Sequence, residues 1–358
     1  SWVRGKCIGK GSFGTVSIAT HKRDGAVFAV KSVDQNSCRH LNQLLFLENE
    51  IRHLRSLSSP YIVQYLGDDV SHESSTSYRN LHLEYMPNGT VADLAGADAG
   101  VDDSLVRSRA WCVVSALRYI HARGIAHCDV KGRNILVGPD PRFCKLADFG
   151  SSTQIGECTG KILPRGSPLW MAPEVVRGEL QGTESDVWSL GCTIIEMITG
   201  KPAWDDRGVD TLNRIGFSTE SPELPTGLSP LCRDFIEKCL KREPSQRWSC
   251  DQLLQHPFLL PLSPVSVTEP SPRCVLDWDD SGFESDEDGG DEVAENCEVS
   301  AMARMGKLAT NSWAIWESDG WVTVRSGDEK IEYSDFMRRE RETSGTSSVY
   351  SDLTWIRE

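Results

Sequence analysis

The sequence predicts an α+β chain of two unequal lobes, a small β-rich one and a larger helical one, followed by an acidic tail. Three observations carry this prediction. Up to about residue 86, short β-type runs alternate with turn signals around a single helical period. From about Thr90 to Leu259 helical periods dominate, and beyond Leu259 the composition turns within a few residues to Pro and Ser and then to acidic side chains.

Val27 to Val30 reads as a compact strand, and Leu44, Leu47, Ile51, Leu54 and Leu57 recur at helical spacing with charged residues between them. Tyr61 to Leu66 and Leu81 to Tyr85 return to strand character on either side of a polar stretch, Asp68 to Asn80, read as a loop. Leu105 to His121 is a long amphipathic helix with Val106, Ala110, Val113, Val114, Leu117 and Ile120 on one face. Ile135 to Val137 and Cys144 to Leu146 form a β interlude before the helices that run to Leu259.

The lobes are expected at about 1–86 and 87–259, with a Pro/Ser-rich and acidic linker at 260–311 and a Trp-containing segment at 312–358. Pro261, Pro264, Pro270 and Pro272 precede the block Asp277 to Glu298. Low hydrophobicity with dense like charge does not repay chain entropy, so Leu262 to about Ser300 is expected to be disordered. Trp313, Ile315, Trp316, Trp321, Val322 and Val324 surround Asp319-Gly320 and read as two short strands about a turn. An isolated hairpin is marginal in water. Docking of Ser312 to Ser326 onto the lobes or onto a partner is therefore one reading, and a tail with scattered aromatics is the other.

Overall, 38 Lys and Arg face 52 Asp and Glu for a net charge of −14. Residues 261–358 hold 9 basic and 22 acidic side chains, so the first 260 are close to neutral. That balance argues against a nucleic-acid backbone or an anionic membrane surface as principal partner. No apolar run approaches a membrane span. The opening Ser-Trp-Val-Arg-Gly has no secretory pattern, and twelve Cys without Cys-x-x-Cys pairs read as reduced thiols, so cytoplasm, nucleus or both are expected.

The chemistry begins at Gly9-x-Gly11-x-x-Gly14-x-Val16. Alone this pattern is weak, because dinucleotide-binding folds carry a similar one. A dinucleotide site needs a helix after the glycines, whereas Thr15-Val16-Ser17-Ile18-Ala19 is strand-like, so the loop reads as a hairpin cap over phosphates. Phe28-Ala29-Val30-Lys31 places a lysine on the next strand, and Glu50 falls on the following helix, where the pair would hold an ammonium against nucleotide phosphates.

His127-Cys128-Asp129-Val130-Lys131-Gly132-Arg133-Asn134 and Asp148-Phe149-Gly150 complete the pattern. With them, the chain resembles the protein kinase family from Arg4 to Leu259. The resemblance implies the bilobal kinase fold, ATP with Mg²⁺, Asp129 as the base toward a substrate hydroxyl, and Asn134 and Asp148 as metal ligands. It also implies Lys131 at the γ-phosphate, in the manner of Ser/Thr kinases. Gly166 to Glu174 looks like the end of an activation segment with Ser167 facing Asp129 and Lys131. Asp186-x-Trp188-x-x-Gly191 resembles the helix that braces the catalytic loop, and Arg247 the partner of Glu174. Leu81 to Gly89 would supply the adenine side, with Leu83 behind the base, the backbones of Glu84 and Met86 at its edge, and Ile8, Val16, Ala29 and Leu136 on its faces. As plain core residues these apolar side chains would look the same.

Ser167 to Glu174, Leu190 to Gly200 and Gly124 to Gly132 resemble the upstream kinases of MAP kinase cascades, plant MAP kinase kinase kinases above all. A MAP kinase kinase is then the implied substrate. An active kinase outside that pathway and a pseudokinase scaffold are the alternatives. One departure from the family pattern is Cys128, where kinases switched by loop phosphorylation carry an Arg that clamps the phosphate. Ser151, Ser152, Thr153 and Thr159 are candidate phosphate acceptors, and the departure predicts weak dependence on loop phosphorylation.

Overall fold

The computed structural model describes residues 1–11, 14–36, 41–73, 75–95, 103–156 and 164–260, and the backbone of 317–318 and 321–322. These all lie within one unit, Ser1–Thr323. The first strands are β1 (Trp2–Gly11), β2 (Gly14–His21) and β3 (Val27–Asp34), followed by helix α1 (Leu41–Leu54) and strands β4 (Tyr65–Glu73) and β5 (Thr76–Glu84). They make one antiparallel sheet in the order β1-β2-β3-β5-β4. Along β3 the side-chain period of two sorts residues to opposite faces. Phe28 and Val30 join Ala19 on one face, while Ala29 and Val33 join Leu47, Ile51 and Leu54 of α1 in the main core. Lys31 shares the second parity.

The polar stretch 68–80, read as a loop, is instead most of the β4–β5 hairpin, with Asp69 opposite Asn80 and Ser71 opposite Tyr78. Side-chain hydrogen bonds replace apolar burial there: Arg79 pairs with Asp68 at 2.7 Å, Asn80 donates to Asp69 and Ser71, and Arg4 from β1 clasps Glu73. A hydrophobicity pattern does not register a strand held in this way.

The helical lobe contains α2 (Val91–Ala95), α3 (Asp103–His121), β6 (Ile125–Ala126), β7 (Ile135–Val137), β8 (Cys144–Leu146), β9 (Thr153–Gln154), α4 (Pro173–Val176) and α5 (Thr183–Thr199). It continues through α6 (Val209–Phe217), α7 (Pro230–Cys239) and α8 (Cys250–Leu254). Helix α5 is buried on every side from Ser185 to Met197, the mark of a central helix. Its Gly191 admits α7, since a Cβ there would lie 2.8 Å from Leu240. The six apolar positions expected on α3 are all buried. Pairing of β6 with β9 and of β7 with β8 sets the loops 127–134 and 147–152 side by side.

Among the described residues no disulfide joins the eight cysteines. Among the described residues no helix is long and apolar enough to cross a membrane. In the tail, β10 (Glu317–Ser318) and β11 (Trp321–Val322) pair antiparallel across the Asp-Gly turn position. Apart from Leu260, the expected linker, like the remainder of 312–358, lies outside the described residues.

Candidate active site

The parity of β3 aims Lys31 at α1. Its Nζ stands 2.7 Å from Glu50 Oε2 and 2.9 Å from Asp148 Oδ1, with all three groups largely removed from water. Burial works against the Lys31 ammonium, but Asp148 and Glu50 outweigh it and hold its pKa above the usual value. For Glu50 burial wins over the nearby ammonium and raises the carboxyl. For Asp148 burial pushes up, yet Lys31, Lys131 and His127 together hold the carboxyl below its usual range. Glu50 Oε1 also accepts the Phe149 N–H at 3.3 Å, so one carboxylate ties α1 to both the lysine and the Asp148-Phe149-Gly150 turn.

Across the cleft, Asp129 Oδ2 accepts from Asn134 Nδ2 at 3.0 Å and faces Lys131 Nζ at 3.2 Å. Asp129 Oδ1 is buried without a hydrogen-bond partner, a costly state for a carboxylate unless a ligand group completes it. Lys131 Nζ donates to Ser167 Oγ at 2.6 Å, which ties the segment around Ser167 to the Asp129 loop. Asn134 spends its Nδ2 on the backbone and side chain of Asp129, leaving its Oδ1 as the acceptor of that amide. His127 Nδ1 accepts the Asp129 N–H, so the proton sits on Nε2, facing Ala147 O at 3.1 Å.

Cys128 and Asp148 have φ of 67° and 62°, the two non-glycine residues with positive φ among those described. Such backbone costs roughly 1–3 kcal/mol each and persists only where its surroundings over-determine it. For Cys128 the determinant is Asp186 on α5, whose carboxylate accepts the N–H groups of His127 and Cys128 at 2.8 Å each and meets His121 Nε2 at 2.8 Å. Burial alone would lower the His121 pKa, but the hydrogen bond to Asp186 and the Cys250 contact raise it to about 10. Glu196, its carboxyl raised by burial, accepts from Gly132 N–H and Trp170 Nε1–H at 2.9 and 3.0 Å. Arg247 grips Glu174 with two bonds of 2.6 and 2.7 Å.

The glycine-rich turn joins β1 to β2 with Gly11 opposite Gly14. Gly14 has φ of 116°, and a Cβ there would meet Ser32 O at 2.7 Å, so glycine is required by both conformation and space. Cross-strand pairing aligns Gly9 with Val16, Val16 with Lys31 and Ala29 with Leu83, while Ile8 is partly buried on β1. Leu136 on β7 faces Lys145, whose Nζ bonds the Glu84 carboxylate at 2.7 Å, and the Met86 methyl lies near the Gly138 position. Val16 and Ala29 thus stand on the five-stranded sheet and Leu136 on the separate β7–β8 pair.

Two supporting residues escaped the sequence reading. Asn49 Nδ2 donates to the carbonyls of Gly150 and Ser152 at 2.8 Å each, and His121 joins α3 to Asp186. An asparagine inside a helix is a poor helix former, which is the available signal for Asn49. Of the candidate phosphate acceptors, Ser151 and Ser152 are buried and Thr153 is part-exposed, whereas Thr159 lies outside the described residues.

A small sheet with a buried Lys–Glu pair stands with a helical lobe that carries the Asp129 loop and the Asp148-Phe149-Gly150 turn, the arrangement on which the family comparison bears. The match to the protein kinase domain spans residues 2–259, and the chain belongs to that family. It is 40% identical over 348 residues to mitogen-activated protein kinase kinase kinase 18 of Arabidopsis thaliana, covering 91% of this chain and 99% of the relative. Against mitogen-activated protein kinase kinase kinase 17 of the same plant it is 43% identical over 77% of this chain and 76% of that one. Mitogen-activated protein kinase kinase kinase 20 matches at 36% over 90% and 99%. The chain is an ATP-dependent Ser/Thr protein kinase of the MAP kinase kinase kinase type. Kinases of this family use ATP with a divalent metal ion.

Proposed function

We propose that this kinase phosphorylates a MAP kinase kinase on activation-loop Ser or Thr, with Mg²⁺ as the metal. The observation that carries the site assignment is a pair of buried polar groups, Lys31 with Glu50 and Asp148, and Asp129 with Lys131 and Asn134, the Asp148 and Asp129 loops being set side by side by strand pairing. Lys31 holds the α- and β-phosphates and Glu50 fixes its ammonium. The unpartnered Asp129 Oδ1 receives the hydroxyl proton as the substrate oxygen bonds to the γ-phosphorus and the bond to ADP breaks. Lys131 neutralises charge on the transferred group.

The metal suits the residues present. Lys31, Glu50 and Asp148 sum to a net negative charge, and Asp148 with Asn134 offers two oxygen ligands. No group of three or more His, Cys, Asp or Glu side chains suited to a metal occurs among the described residues. This is the donor set of an ion that takes one or two protein ligands and completes its shell with phosphates and water. Such an ion neutralises phosphate charge. Adenine lies between Ile8, Val16, Ala29 and Leu136, against the backbones of Glu84 and Met86 and in front of Leu83. The tail segment Ser312 to Ser326 docks on the kinase or on a partner, tethered by the acidic linker.

The test incubates the full chain with Mg-ATP and a panel of catalytically dead MAP kinase kinases and maps the phosphorylated residues. Lys31→Met and Asp148→Asn should each lower the rate by on the order of 10² or more while remaining folded. Undiminished transfer by either variant would overturn the site assignment. Phosphorylation of none of the panel would overturn the substrate.

A further inference from the structure

The residue before Asp129 is the uncharged Cys128, yet Ser167, near the far end of the activation segment, accepts a hydrogen bond from Lys131. Something other than a guanidinium at position 128 must join the two ends of that segment. Arg165 does so directly. Its Nη1 donates to the carbonyls of Ser151 and Ser152 at 3.4 and 3.2 Å, immediately after the Asp148-Phe149-Gly150 turn. Its own backbone is fixed by the Gln181 side chain, which accepts the Arg165 N–H at 3.2 Å and donates to the Arg165 carbonyl at 3.0 Å.

The next residue is pressed on the catalytic loop. Gly166 has φ of 104°, and a Cβ there would come within 2.1 Å of Cys128 O, so no other residue fits without moving one of the two chains. From the opposite side Asn49, the neighbour of Glu50, donates to the same Ser152 carbonyl, whose two lone pairs thus serve α1 and Arg165. Arg165 shares one crevice with Cys128, Asp129, Ser167 and Gln181.

We propose that Arg165 is a positioning residue for phosphoryl transfer. Its guanidinium binds backbone carbonyls at the start of the activation segment, where a loop phosphate would otherwise be needed, and so holds the substrate-facing end around Ser167 in its working place. The bonds are charge-assisted and bring no phosphate into the structure. The inference rests on the kinase assignment and concerns how this kinase stays active when its loop is unmodified.

The experiment uses the full chain, purified with and without phosphatase treatment, with Mg-ATP and a catalytically dead MAP kinase kinase as substrate. Dephosphorylated wild type should keep its initial rate within about 2-fold. Arg165→Ala should lose roughly 10-fold in kcat/KM for the protein substrate, about 1.4 kcal/mol, with KM for ATP unchanged. Arg165→Lys should recover part of the loss, because an ammonium replaces one of the donors. Millimolar guanidinium chloride should restore Arg165→Ala further, which a folding defect would not allow. Should Arg165→Ala fail to fold, Arg165→Lys and the phosphatase comparison decide.

The proposal is overturned if Arg165→Ala transfers phosphate like wild type. It is equally overturned if its loss appears equally in KM for ATP and resists guanidinium, or if dephosphorylation alone abolishes wild-type activity. An inactive wild type, or a Lys31→Met variant as active as wild type, would instead refute the kinase site on which it builds.

Discussion

Replacing Asp186 by Asn keeps the size of the side chain and removes its charge. The carboxylate serves two backbone N–H donors and the His121 ring at 2.8 Å each, on a residue almost wholly buried. A carboxamide offers one accepting atom, and its NH₂ then opposes an N–H, so at least one buried donor is left unpaired at roughly 1–3 kcal/mol. The larger effect is on His121. Its pKa is raised from 6.5 to about 10 in the fold. At 1.36 kcal/mol per pH unit that gap is worth on the order of 5 kcal/mol, of which Asp186 supplies part and the Cys250 contact the rest.

The sign follows from linkage. A cation whose folded pKa is raised stabilises fully below about pH 6.5, and the contribution drains away as pH climbs toward about 10. Urea unfolding of wild type from pH 6 to pH 10 should therefore show a fall in stability of a few kcal/mol, whereas Asp186→Asn should be less stable at pH 6 and flatter over the range. Turnover should also fall in the variant, because Cys128 loses the bond that holds its positive φ beside Asp129. Parallel pH profiles for the two proteins would refute the assignment of the gap to this pair.

Arg247→Met strands the Glu174 carboxylate in a site where the two side chains are 0% and 4% exposed, so an equilibrium unfolding curve should show a loss of about 3–5 kcal/mol. A loss below about 1 kcal/mol would mean the pair is structurally idle. Cys128→Arg should leave turnover within about 3-fold of wild type and make it more sensitive to phosphatase, as measured by initial rates. Equal sensitivity would show that position 128 does not select the mode of control. Deleting Ser312 to Ser326 should change kinase activity or the retention of a partner in pull-down, and no change in either would refute docking by that segment.

The candidate site residues were legible in the sequence because they fall in short local patterns, to which the family resemblance attached their roles. Asp129, Lys131 and Asn134 sit on one eight-residue stretch, Gly9, Gly11 and Gly14 on the strand ends of one hairpin, and Lys31 at a strand position whose parity follows from Phe28 and Val30. The helix carrying Glu50 was legible for the same reason, since Leu47, Ile51 and Leu54 repeat at its own period. The strands at 68–80 were not, since their pairing is stabilised by polar contacts to Arg4 and Arg79 that no hydrophobic period reveals.

Tertiary structure alone decided what depends on residues far apart in the chain. Nothing local marks His121 as the partner of a carboxylate 65 positions away, or Asn49 as the ligand of carbonyls about 100 positions on. The same holds for Arg165, whose bonds reach back 13 and 14 residues to the start of its own segment. Sequence motifs single out the candidate groups. The bonds that fix where those groups stand are made by packing, through donors and acceptors whose identity is common and whose meaning comes only from their distance in the folded chain.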